Sequence, residues 1–454
     1  PSPWITAALE VSGTRALDYF ARIDPVVRTW NDRYAIVVAE RPWLNFSFFF
    51  RLMDRWGLPR TFVTEGVGGE PEGPLDGRAS LGRMVRHAPR LVALQVKNLR
   101  TVLRSRTAVE GFASAVEAAR DLRGLFDATV HGLDVALTTN FALNGALTGL
   151  ERVRRALGIR GRAQVVTERM MREYDALRGL PRGEQAAAFE RWLGAYGHRG
   201  PLESDPARPR FAELRGTLQS GLEHPAARPE GPSQGERRGP LFALDRRRES
   251  FRDDLMRVWA RLRERILDLA AQEVEHGRLA AVEDVFLLSG HELNKLEPRG
   301  EDLPTRRARL ADLSGVALPH TAHREVIEAA ARSALDPPST DPTRLTGHPL
   351  GSGRVAGRVV RADDLVALLE RDAAADGQLL GPDRVLVAPA LEPAWAVVFG
   401  RVGAVVTELG GELSHVAILL REGRVPALLN VAGACRQLED GASITLDLDQ
   451  GRVV

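Results

Sequence analysis

Cysteine and lysine are nearly missing from this 454-residue chain: Cys435 is its only thiol, and Lys97 and Lys295 are its only lysines. One cysteine excludes an internal disulfide framework, and Cys435 reads as a small buried hydrophobe near a strand end. Neither lysine lies in a glycine-rich or strand-like setting, and no Gly-x-x-x-x-Gly-Lys-Ser/Thr run is present, which excludes a P-loop. No apolar run approaches the length of a membrane-spanning helix. The opening PSPWITAALEVSG has neither the basic region nor the long apolar stretch of a signal peptide. A cytoplasmic protein without membrane contact is therefore expected. Aromatic residues make up 6% of the chain and do not interleave with basic ones, which argues against a nucleic-acid surface. The net charge is only +2. Arg154, Arg155 and the Arg246–Arg248 run lie among acids on helix-like segments, and are expected on solvated helix faces. No histidine or cysteine pair shows metal-ligand spacing in a coherent setting, His320 and His323 lying on a proline-flanked stretch, so no metal is expected.

What is present is ordinary for a multidomain globular protein: 44% hydrophobic and 27% charged residues, with length for two to four domains. Residues 32–59 begin as a strand, Tyr34 to Ala39, and continue as an amphipathic helix. Residues 62–79, rich in Gly, Pro and acids, read as a loop. Residues 80–158 carry apolar positions at three- and four-residue spacing, as in Leu91, Leu94, Val96 and Leu99, and residues 162–196 continue that pattern with a break near Pro181. Residues 222–240 read as an exposed disordered loop, and a strong helix follows from about Leu244 to His276. The stretch 334–352 has the composition of a linker or hinge. The expected division is a mainly helical domain over 1–333, a linker over 334–352, and a further domain over 353–454.

The most informative segment is TELGGELSHVAILLREGRVPALLN, Thr407 to Asn430. A short apolar run, Ala404 to Glu408, reads as a buried strand. Gly410 and Gly411 permit a tight turn, Ser414 is a good N-cap, and Val416, Ile418, Leu419 and the stem of Arg421 line the helix that follows. His415 then sits in the first helical turn, where free N–H groups and the helix dipole favour an anion. Such a placement suits a histidine that carries a phosphoryl group, with Arg421 near enough along the helix to pair with phosphate. The alternative is a helix start with an incidental histidine.

This segment resembles the swivelling phosphohistidine domain of the phosphoenolpyruvate-utilising enzymes. The resemblance runs from about Gly347 to Val454. It includes Gly351 to Ala362 as an opening strand pair, Arg384 to Trp395 as a strand with a proline and aromatic turn, the His415 segment, and the closing Leu438 to Val454. It implies a β/β/α swivelling domain in which His415 is the carrier. It also implies that Thr407, Gly410, Gly411 and Ser414 shape the loop, and that Arg421 and Glu422 are the family's Arg-Glu pair. Two departures stand out. Leu413 replaces a regulatory threonine of the dikinases, so regulation by phosphorylation there is not expected. Asn430 stands where glycine is usual, and asparagine also accepts positive φ.

Weaker resemblance extends to the helical region. Tyr196 to Glu213 (YGHRGPLESDPARPRFAE), Arg247 to Leu293, and pieces of Asp32 to Gly69 are similar to the substrate domain of rifampicin phosphotransferase-like members. By that likeness His198, Arg199, Glu203, Asp205 and Arg208, with Arg210, are acceptor-binding candidates: arginines to hold phosphate, a histidine or carboxylate to take a proton from an acceptor hydroxyl. The alternative for these residues is an ion-pair network between helices, and His276 and His291 read as structural. Neither the family's ATP-grasp domain nor its pyruvate-binding barrel is recognisable. The expectation is a dikinase-type phosphotransferase component that binds no cofactor itself, with ATP and Mg²⁺ held on an ATP-grasp domain or subunit and a small hydroxylated molecule as acceptor. The competing expectation is a non-catalytic binding module that kept the fold.

Overall fold

The structure, a computed structural model, describes residues 1–30, 35–38, 41–60, 80–156, 158, 166–223, 242–297, 302–314, 345–410 and 415–454. The expected loop at 62–79, the expected loop at 222–240 beyond Glu223, most of the expected linker, and His320 and His323 lie outside the described residues, while Leu222 ends a helix, Arg215–Leu222, rather than opening a loop.

The N-terminal part is helical. Its first elements are α1 (Pro3–Ala21), a hairpin of β1 (Ala35–Val38) and β2 (Arg41–Leu44), and α2 (Phe46–Trp56). Then follow α3 (Leu81–Leu103), α4 (Ser105–Ala118), α5 (Leu122–Ala156), α6 (Val166–Leu177), α7 (Arg182–Tyr196), α8 (Arg215–Leu222), α9 (Ala243–Glu275) and α10 (Leu303–Ser314). The helix starts follow from local chemistry. The Ser2 side chain accepts from the N–H of Ile5 with Pro3 at the first helical position, and Asn45 accepts from Phe48; both satisfy free first-turn donors. The second strand of the hairpin was not expected: the chain after Ala39 reads from sequence as an amphipathic helix, but Arg41 to Leu44 pairs with β1 first.

Two cores form here. One gathers Trp4 of α1, Phe112 of α4, Leu125 of α5 and Trp259 of α9. The other is aromatic, with Phe20, Phe48, Phe49 and Trp56 buried among α1 and α2. The apolar spacing in α3 divides between two faces. Leu91 and Leu94 pack against the aromatic core, while Val96 and Leu99 are exposed.

The C-terminal part is a mixed seven-stranded sheet. Its strands are β3 (His348–Leu350), β4 (Arg354–Arg361), β5 (Arg384–Ala388), β6 (Ala404–Thr407), β7 (Ala427–Leu429), β8 (Ser443–Asp447) and β9 (Arg452–Val453), in spatial order β3-β7-β6-β5-β4-β8-β9. The run β4-β5-β6-β7 is parallel and the outer pairings are antiparallel. Helices α11 (Leu365–Ala374), α12 (Ala396–Phe399) and α13 (His415–Glu422) make the parallel crossovers, and α14 (Ala434–Gln437) follows β7. The central strands are apolar on both sides because both faces are covered. Along β5, Val385 and Val387 face one core with Cys435, and Leu386 and Ala388 face the other. The expected opening strand pair is instead one eight-residue strand, β4. The strand β3 lies within the stretch read as linker, where it pairs with β7.

The second of these cores crosses from the sheet into the helical region. Met170, Tyr174, Trp192 and Phe211 share one buried cluster with Leu365, Val397, Phe399, Ala417 and Leu420. The segment 166–222 therefore packs on the helices that cover the sheet.

Candidate functional site

The strand β6 is wholly buried and ends at Thr407, whose side chain is 1% exposed and whose Oγ1 has no hydrogen-bond partner. The chain turns through Gly410, at φ 135, a conformation that favours glycine. Gly411 to Ser414 lie outside the described residues, and helix α13 begins at His415. Val416, Ala417, Leu419 and Leu420 are buried and anchor the helix to the shared core, while Ile418 is only partly buried. The helix closes where Gly423 donates to the Leu419 carbonyl and Val425 to that of Leu420, with Arg424 left-handed at φ 51. Arg421 and Glu422 fall in the last turn. Arg421 is six positions after His415, about 9 Å along the axis and roughly 240° around it, so it presents a different face. Asn430 has φ 59, so asparagine stands where a left-handed residue is needed.

The acceptor candidates lie on the segment after α7. His198 Nε2 is 2.9 Å from Asp253 Oδ1 on α9. Arg199 is 2% exposed and is paired with Glu203, while Arg252 donates to the other Glu203 oxygen at 3.2 Å. Burial drives the Glu203 carboxyl upward, but Arg199 and Arg252 together outweigh it and hold Glu203 below the usual carboxylate range. Asp253 behaves likewise: burial raises it, and His198, Arg257 and Arg199 bring it lower. Asp205 accepts from the Ser2 amide and hydroxyl, both at 2.7 Å, and from Ala207 at 3.0 Å. Arg208 pairs with Asp364 at 2.9 Å. Arg199, Glu203 and Asp205 thus stand in a network of internal partners.

The structure joins this segment to the histidine helix. Leu202 N–H donates to Glu392 Oε2 at 2.6 Å, and Asp364, paired with Arg208, is also the N-cap of α11. Glu392 opens the 3₁₀ turn Pro393–Trp395, and that turn packs on α13. One short turn therefore separates the acceptor candidates' loop from the helix that starts at His415. Sequence reasoning missed Asp253, Arg252, Asp364 and Glu392. Each is an ordinary charge on a helix or turn, and only its distant partner gives it a role. The same holds for Arg154, expected on a solvated face but 5% exposed and paired with Asp245. Its partner lies on another helix, out of reach of local pattern.

Among the described residues, no three His, Cys, Asp or Glu side chains converge as metal ligands, and no helix is long and apolar enough to cross a membrane.

Comparison with known proteins matches residues 380–451 to the mobile domain of PEP-utilising enzymes. An uncharacterized protein of Mycobacterium tuberculosis is 31% identical over 274 residues, covering 58% of this chain and 30% of that protein. The rifampicin phosphotransferase of Streptomyces sviceus is 26% identical over 321 residues, 62% of this chain and 35% of the relative. The phosphoenolpyruvate synthase of Escherichia coli is 24% identical over 187 residues, 39% of this chain and 23% of that enzyme. The chain thus spans at most about a third of the length of these relatives.

Proposed function

From the premise that this chain belongs to the PEP-utilising enzyme family through its mobile domain, we propose that it is a phosphotransferase component in which His415 carries a phosphoryl group to a hydroxylated acceptor. The observation that carries the reading is the position of His415 at the first residue of α13, where the first-turn N–H groups and dipole of a helix favour a phosphorylated ring. In the first step an imidazole nitrogen attacks a nucleotide phosphorus, the N–P bond forms and the P–O bond to the nucleotide breaks. In the second the acceptor oxygen takes the phosphoryl group, the N–P bond breaks and the hydroxyl proton passes to a base. ATP and Mg²⁺ belong in this scheme to an ATP-grasp domain or subunit. The dyad of His198 and Asp253, 2.9 Å apart, supports His198 as the base. A carboxylate on one ring nitrogen fixes the tautomer and stabilises the imidazolium.

The test is labelling of the chain with γ- or β-labelled ATP, with and without an ATP-grasp protein, in wild type, His415→Ala and His198→Gln. Acid-labile label that needs His415 supports the carrier role. Label that forms in His198→Gln but no longer leaves to an acceptor supports the base. A folded protein that takes no label in any pairing sinks the proposal in favour of a binding module.

A further inference from the structure

Arg210 is a buried cation that the protein leaves without a hydrogen-bond partner. Its side chain is 3% exposed, and none of its three guanidinium nitrogens has a hydrogen-bond partner. The arginines around it are all engaged. Arg199 is paired with Glu203, Arg252 donates to Glu203, and Arg263 grips Glu213 through Nε and Nη2, both at 2.8 Å, and the Pro206 carbonyl at 2.7 Å. Glu213 also accepts from the Arg210 backbone N–H, not from its side chain. Glu203, Glu213 and Asp205 lie near enough to attract the Arg210 guanidinium, but none of them accepts a hydrogen bond from it. A guanidinium has five N–H donors in a planar fork that matches phosphate or carboxylate oxygens, and leaving them unmet in the interior is strongly unfavourable.

We propose that Arg210 is the binding residue of a buried oxyanion site that takes a phosphate group, the class to which a phosphorylated acceptor belongs. This assignment rests on the phosphotransfer reading for its ligand and on Arg210 alone for its location. Burial lowers the Arg210 guanidinium to about 10, so it keeps its charge at neutral pH. The segment that carries Arg210 is held from outside by the Leu202 to Glu392 and Arg208 to Asp364 contacts with the C-terminal part.

The experiment titrates the full chain with inorganic phosphate at constant ionic strength, followed by calorimetry and thermal unfolding, in wild type, Arg210→Met, Arg210→Lys and His415→Ala. The expected result is saturable one-site binding to wild type and His415→Ala. Binding is at least tenfold weaker in Arg210→Met and intermediate in Arg210→Lys, which keeps the charge without the fork. The unliganded Arg210→Met protein should unfold no earlier than wild type, because no hydrogen bond is lost and an unsatisfied buried cation is removed. Three results overturn the proposal: no saturable phosphate binding, equal binding by wild type and Arg210→Met, or marked destabilisation of Arg210→Met without phosphate. Labelling of His415 without phosphate binding removes this site and leaves the carrier reading standing, and phosphate binding without labelling does the reverse.

Discussion

Glu203 is the residue on which the buried charges depend, and Glu203→Gln tests that dependence. Its two oxygens receive Arg199, which is 2% exposed, and Arg252. Removing one charge from a buried pair leaves the other uncompensated and costs about 3–5 kcal/mol. That is a large part of the roughly 5–15 kcal/mol that holds a typical domain folded. The substitution also removes the strongest attraction on the buried Arg210 guanidinium, so Arg210 should feel it. Adding Arg210→Met removes the cation that suffers that loss. The double variant should then be destabilised by clearly less than the sum of the two single changes, with a coupling of about 1 kcal/mol or more. Urea unfolding of wild type, both single variants and the double variant measures this, provided the slope of the transition stays constant. A loss below about 1 kcal/mol in Glu203→Gln refutes the network account. Strict additivity in the double variant refutes the claim that Glu203 steadies the buried Arg210 charge.

Three further outcomes are expected. Thr407→Val removes a buried hydroxyl that has no partner, so thermal stability should hold or rise slightly; a slower gain of acid-labile label on His415 would show that the hydroxyl serves the loop rather than the core. Asn430 has φ 59, so Asn430→Gly should be nearly neutral while Asn430→Val loses about 1–2 kcal/mol, read by chemical denaturation. Burial pushes the Glu392 carboxyl above its ordinary 4.5, against the Leu202 N–H and Arg208. The folded state then holds the proton more tightly than the unfolded one, so the Glu392 contribution is full below pH 4.5 and declines as pH rises through the raised value. Glu392→Gln keeps an oxygen for Leu202 and should remove that decline, making the variant the more stable protein at neutral pH. A wild-type advantage there would reverse the sign and the reasoning.

Elements whose signals are local were legible in the residues alone. The helix expected from about Leu244 to His276 is α9 (Ala243–Glu275), because its apolar positions recur at helical spacing. The apolar run before Glu408 is β6, and the proline and aromatic turn that the family resemblance implied is the 3₁₀ turn at Pro393–Trp395. Even the left-handed backbone at Asn430 was legible, since few side chains tolerate it. Which charges are buried, and whom they meet, emerges only from the packing of distant segments. Arg263 and the solvent-facing Arg261 stand on one helix amid similar neighbours. Arg263 is buried because Glu213 and the Pro206 carbonyl, far away in the chain, fold onto its face. The same packing decides that β3, in a stretch with the composition of a linker, joins the sheet edge against β7. Composition and periodicity report what a segment does to its own backbone within a few turns. Desolvation of a charge, the pairing of strands and the isolation of Arg210 depend on what distant segments bring alongside.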